Sequence, residues 1–170
     1  MNLYKILIAD DEYLERKALG IILEDKVQLN EIEIVGFAAN GNEVVKMARE
    51  REPDIIFMDI KMLGLNGLNA IKMIKEYLYD VKFIILTAYD EFDYAHKALE
   101  LNIDEYLLKP VRPDKIREVV ENLIKEIEFS RKEEEMKQDI KEKLNMVLPY
   151  IKMSFVFDLI FLNIDTIEEI

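Results

Sequence analysis

At 170 residues the chain is long enough for one domain with a sizeable core plus an appendage. Its net charge of −12 is a poor match to nucleic acid, whose binding needs a basic stripe. With no cysteine and one histidine, His96, there is no material for a disulfide framework or a zinc site.

The N-terminus runs Met1-Asn2-Leu3-Tyr4-Lys5 into a short apolar stretch that ends in Asp10-Asp11. This is neither a signal peptide nor a membrane span, so a soluble, cytoplasmic protein is expected. Residues 4–9 read as a first strand. Leu14, Ala18, Leu19, Ile22 and Leu23 then share one helix face. A second strand is expected at 32–37, and Asn40-Gly41-Asn42 starts a helix whose stripe is Val44, Val45, Met47 and Ala48. Ile55 to Met58 form a continuous apolar run behind Pro53, the pattern of a strand buried on both faces, and Asp59 follows at once. Residues 61–67 carry two glycines and Asn66 and read as a loop. A helix over 68–77, a strand over 81–86 and a helix over 91–101 come next, with Asn102 as a left-handed cap. The fifth strand, 105–108, ends at Lys109-Pro110. Strand and helix thus alternate five times, which predicts a doubly wound α/β domain over residues 1–128.

Beyond Pro113 the character changes. Residues 114–143 lack glycine and proline and are mostly charged, so one long helix is expected. Ile116, Val120, Leu123 and Ile127 follow 4-3-4 spacing, as do Ile140, Leu144, Val147 and Ile151. The two seams are out of heptad phase, which speaks against a continuous coiled coil and leaves a solvated helix running out of the domain at least as well supported. Pro149 opens an apolar stretch, 150–162, expected to be a buried helix and too short for a membrane span. Thr166 and Glu169 form a capping-box pattern, the start of a helix rather than an end. Residues 129–170 are therefore read as a helical linker or dimerisation segment, cut before a further domain.

The polar residues that close the strands define the chemistry. In a parallel sheet, ligands bind outside the carboxyl ends of the strands. Asp10, Asp11, Asp59, Thr87 and Lys109 all occupy such ends, so one edge collects three carboxylates, a hydroxyl and an ammonium. Carboxylates without histidine or thiolate make a hard oxygen site suited to Mg²⁺. Asp59 could act as a nucleophile toward phosphorus, Lys109 would neutralise the transferring group, and Thr87 could hydrogen-bond the new phosphoryl oxygens.

Asp10-Asp11, Asp59 after its apolar strand, Thr87-Ala88, and Tyr106 three residues before Lys109-Pro110 together resemble the receiver domain of two-component response regulators (CheY-like). The likeness covers about residues 3–128. It implies a flavodoxin-like five-stranded sheet of order 2-1-3-4-5 and phosphorylation of Asp59 by a sensor histidine kinase. It further implies Mg²⁺ on Asp11, Asp59 and the backbone carbonyl of Lys61, with Asp10 acting through water. Thr87 and Tyr106 would be the switch residues, and Lys109-Pro110 would be a cis peptide. The stretch 148–160 is similar to the linker of regulators with an AraC-type (YesN-like) DNA-binding output. Such an output domain lies outside this sequence, so DNA contact is expected only through it, and homodimerisation is expected on phosphorylation.

Two positions depart from the family pattern: Leu63 stands where proline is common, and Asn102 where glycine is usual. The leading expectation is a phosphorylation switch with no enzymatic activity beyond its own phosphorylation and dephosphorylation. One competitor is a constitutive dimerisation module with vestigial phosphorylation, whose sequence support is Leu63. Another is a Mg²⁺-dependent phosphatase, which expects an acid two residues after the nucleophile, where Lys61 stands.

Overall fold

A computed structural model describes residues 3–26, 32–88 and 92–165. In chain order the elements are β1 (Tyr4–Ala9), α1 (Tyr13–Lys26), β2 (Ile32–Ala38), α2 (Gly41–Arg51), β3 (Ile55–Met58), α3 (Gly67–Lys75), β4 (Lys82–Thr87), α4 (Phe92–Glu100), β5 (Glu105–Leu108) and α5 (Pro113–Asp165). All strand pairs are parallel, as the alternation of strand and helix predicted, and the sheet order is β2-β1-β3-β4-β5, the order that the resemblance implied. The helix start at Thr166 and Glu169 lies outside the described residues.

Because successive strand side chains point to opposite faces, the sheet divides the core in two. Ile6, Ile8, Ile55, Phe57, Ile84, Leu86 and Leu107 meet Leu19 and Leu23 of α1 and the first turns of α5. Leu7, Ala9, Ile56, Met58, Phe83 and Ile85 meet α2, α3 and α4 on the other side. β3 is buried at all four residues, which is why its sequence is unbroken Ile-Ile-Phe-Met rather than alternating. α2 starts as its sequence dictates. The Asn40 side chain accepts the Glu43 N–H at 2.9 Å, and the Glu43 carboxylate accepts the Ala39 N–H at 2.6 Å, a reciprocal cap. Asn102 has φ 49°, as its capping role requires, and Lys109-Pro110 is cis.

Three expectations need correction. In α1, Leu19 and Leu23 are buried, but Leu14 is 75% exposed and Ala18 is exposed too. The first turn of α1 follows the polar strand end Asp10-Asp11, not an apolar surface that could cover it. In α5, Ile116, Val120, Leu123 and Ile127 are joined in the core by Val119 and Ile124. That stripe is wider than a coiled-coil seam and is spent inside the domain.

The third concerns the apolar segment after Pro149. Proline does not open a new helix there but stands inside α5. Tyr150, Ile151, Met153, Val156 and Phe157 are all more than half exposed, not buried. Apolar composition signals that a surface needs cover, and among the described residues nothing covers this one. The chain divides into two compact units, Met1–Ile127 and Glu128–Ile170. No helix among the described residues is long and apolar enough to cross a membrane.

Candidate functional site

Strand register builds the site. Ala9 pairs with Met58, so Asp10 and Asp59 each stand one residue past paired neighbours, and the Asp59 N–H donates to the Ala9 carbonyl at 2.8 Å. Met58 pairs with Ile85 and Thr87 with Leu108, which brings Thr87 and then Lys109 to the same edge. The Lys109 N–H donates to the Thr87 carbonyl at 2.8 Å. Residues 49 and 99 positions from Asp10 thus meet it through register alone.

The side chains converge as the strand ends do. One carboxylate oxygen from each of Asp10, Asp11 and Asp59 lies within 4.8 Å of the others. Asp10, Asp59 and Thr87 are buried, while Asp11 is exposed. Lys109 Nζ donates to Asp10 Oδ2 at 2.6 Å and lies 3.7 Å from Glu15 Oε2. The second Asp10 oxygen accepts the Glu12 N–H at 2.8 Å, and Arg16 donates to the Asp10 carbonyl oxygen.

Burial pushes the Asp59 carboxyl above the usual carboxylate range. The Thr87 hydroxyl hydrogen bond and the Lys109 charge pull it down, Asp10 pushes it up, and the Ile60 N–H pulls it down again. For Lys109 burial disfavours the charge, yet the Asp10 hydrogen bond and the charges of Asp10, Asp59 and Glu15 prevail and raise its pKa. The site therefore holds its ammonium firmly charged beside a carboxylate kept relatively basic. That combination suits a nucleophile facing an anionic electrophile.

Lys61 is half-buried, and its ammonium lies 5.7 Å from the centre of the Tyr94 ring on α4. Tyr106 is half-buried and packs with the core on the side of α2, α3 and α4, not among the acids. Leu63 is 79% exposed, and the turn beside it is made by Gly64 at φ 79°.

Two features escaped the sequence. Glu15 shares Lys109, and the only signal was an acid five residues after Asp10 in the opening of a helix. Gly67, the first residue of α3, approaches the acid strand so closely that a Cβ there would overlap the Asp59 carbonyl oxygen and come 2.9 Å from Met58 Cγ. Gly67→Ala is expected to cost about 2 kcal/mol, the middle of the range for overpacking. A urea midpoint equal to that of the wild type would show that the 61–67 loop yields freely instead.

The donor set passes the test for a hard divalent cation: carboxylate oxygens only, clustered, with one member exposed to solvent. Among known proteins, the family model described as the response regulator receiver domain matches residues 6–121. The uncharacterized transcriptional regulatory protein YesN of Bacillus subtilis is 30% identical over 159 residues, 93% of this chain and 42% of YesN. The transcriptional regulatory protein YdfI of the same organism is 44% identical over 105 residues, 62% of this chain and 47% of YdfI. The solved receiver (REC) domain of AraT, a response regulator from Geobacillus stearothermophilus, superposes with a TM-score of 0.69 at 36% identity. It covers 76% of this chain and 98% of that domain. The chain spans about half the length of the curated relatives it matches.

Proposed function

The chain belongs to the response regulator receiver domain family, and from that premise we propose that it is the phosphorylation-controlled input of a transcriptional regulator, with Asp59 as acceptor. The observation that carries this reading is the convergence of Asp10, Asp11, Thr87 and Lys109 on Asp59. In the transfer, an Asp59 carboxylate oxygen forms a bond to phosphorus as the N–P bond of a kinase phosphohistidine breaks. The bonding pair leaves with the imidazole nitrogen. Asp11, Asp59 and the backbone carbonyl of Lys61 would hold Mg²⁺, with Asp10 acting through water. When bound, the ion offsets negative charge on the phosphoryl oxygens. Lys109 supplies the second positive charge, and Thr87 donates its hydroxyl to a phosphoryl oxygen.

Phosphorylation adds a charge of about −1.5 to −2, enough to redirect Thr87 and Lys109 from their present partners. Tyr106, on the strand between Thr87 and α5, reads that change by altering its rotamer. The partner upstream is a sensor histidine kinase. The response downstream is homodimerisation and control of a DNA-binding output domain, with the whole operating in the cytoplasm. The chain turns over no separate substrate, since the acceptor is part of the protein.

Incubation with acetyl phosphate and Mg²⁺ is expected to add one phosphate to the chain by intact mass. No gain in mass on a folded sample would defeat the proposal. Mass in solution with and without beryllofluoride tests dimerisation separately.

A further inference from the structure

We propose that Glu15 is a brake on phosphoryl loading, a positioning residue that competes with the acceptor for Lys109 and repels an approaching anionic donor. The inference rests on the reading of Asp59 as the acceptor and concerns how fast that residue is loaded. Lys109 Nζ has two carboxylate neighbours, Asp10 at 2.6 Å and Glu15 at 3.7 Å. They are not equivalent. The Asp10 side chain is 8% exposed and is tied to the frame through the Glu12 N–H. The Glu15 side chain is 47% exposed and stands on the opening turns of α1.

Glu15 also lies outside the triad of acids whose oxygens sit within 4.8 Å of one another, so it is no part of the proposed ion site. Yet it lines the same cleft as Asp10, Arg16 and Asp59. A phosphodonor approaching Asp59 and Lys109 meets, beside Lys109, a negative charge that neither the ion site nor the acceptor chemistry uses. Lys109, drawn toward Glu15, has less of its field available to the incoming phosphoryl group. Both effects slow loading, and both are electrostatic at a half-exposed site, so both are screened by salt.

The test is a loading time course by intact mass on the full chain with Mg²⁺ and acetyl phosphate. In this reaction the acetyl oxygen–phosphorus bond breaks, acetate leaves, and the Asp59 oxygen–phosphorus bond forms. Glu15→Gln is expected to load about three- to fivefold faster at low salt, the factor that matches an ion pair of this exposure. The gain should shrink toward unity at about 1 M salt, where the screening length is only about 3 Å. Glu15→Asp, which keeps the charge, should stay close to the wild type. A merely structural role for Glu15 would give a change indifferent to salt and not rescued by aspartate. Equal rates for Glu15→Gln and wild type at low salt, or a gain that salt leaves unchanged, would overturn the brake alone. No uptake by the wild type would overturn the acceptor reading and the brake with it.

Discussion

Asp59→Asn is expected to abolish phosphate uptake and, at neutral pH, to make the folded chain more stable than the wild type. Both effects come from one carboxylate. Asp59 is buried, and burial with the nearby Asp10 charge raises its pKa despite Thr87, Lys109 and the Ile60 N–H. A carboxyl whose folded pKa is raised favours folding fully below its unfolded pKa, near 3.9, and that advantage fades as pH climbs through the folded pKa. Above that window the wild type carries an ionised group in an unfavourable place. Asparagine keeps an acceptor oxygen for the Thr87 hydroxyl but carries no charge, so it avoids the cost. The variant is therefore expected to be the more stable protein at pH 7. Urea unfolding of both proteins from pH 3.5 to 8 should show the difference near zero at the acid end and largest at the alkaline end. A constant difference, or a less stable variant at pH 7, would contradict this account. Mg²⁺ should shift the comparison toward the wild type, by about 2.7 kcal/mol at a hundred times its dissociation constant, with little effect on the variant.

Lys109→Ala is expected to act in the opposite direction. Its ammonium and the Asp10 carboxylate are 16% and 8% exposed and 2.6 Å apart, so removing the cation strands a buried anion. Breaking a fully buried pair costs about 3–5 kcal/mol. Because solvent reaches this edge through Asp11 and Glu15, about 2–3 kcal/mol is the better expectation. The loss should appear at neutral pH and fade in strong alkali. A lysine with a raised folded pKa stabilises fully below its unfolded value near 10.4 and loses that contribution as pH rises through the folded one. Phosphoryl uptake should fall about a hundredfold, the scale for losing one preorganised donor to the transferring group. A Lys109→Ala chain that unfolds at the wild-type urea midpoint would mean that Asp10 finds compensation elsewhere. Wild-type loading by the same variant would remove Lys109 from the chemistry.

Asp59 and Lys109 therefore pull stability in opposite senses while serving the same proposed reaction. Three acids within 4.8 Å of one another, two of them buried, are a poor arrangement for folding alone, even with Lys109 beside them. Such a cluster makes physical sense when a cation and a phosphoryl group are the intended occupants.

The strands and their polar ends were legible in the sequence because each rests on a local signal. A strand buried on both faces must be continuously apolar, so Ile55 to Met58 declare themselves, and the first polar residue after them marks the sheet edge. Asn102 needed only its own tolerance of positive φ. Local periodicity failed where burial depends on what lies opposite. Leu14 repeats with Leu19 and Leu23 along one stripe, yet no core reaches it. The 4-3-4 pattern of Ile116 to Ile127 and that of Ile140 to Ile151 look alike in sequence. The first is core, while the second is at least half exposed.

By itself, then, the sequence determined which residues could form strands and which edge would collect the carboxylates, the hydroxyl and the ammonium. Those depend on residue type and spacing along the chain. The tertiary structure alone decided that Lys109 pairs with Asp10 and Glu15, and that Gly67 presses on the Asp59 carbonyl. It also decided that only the first of two similar helical seams is buried. Those outcomes depend on distances between residues remote in sequence, which strand register and helix packing set and side-chain pattern does not encode.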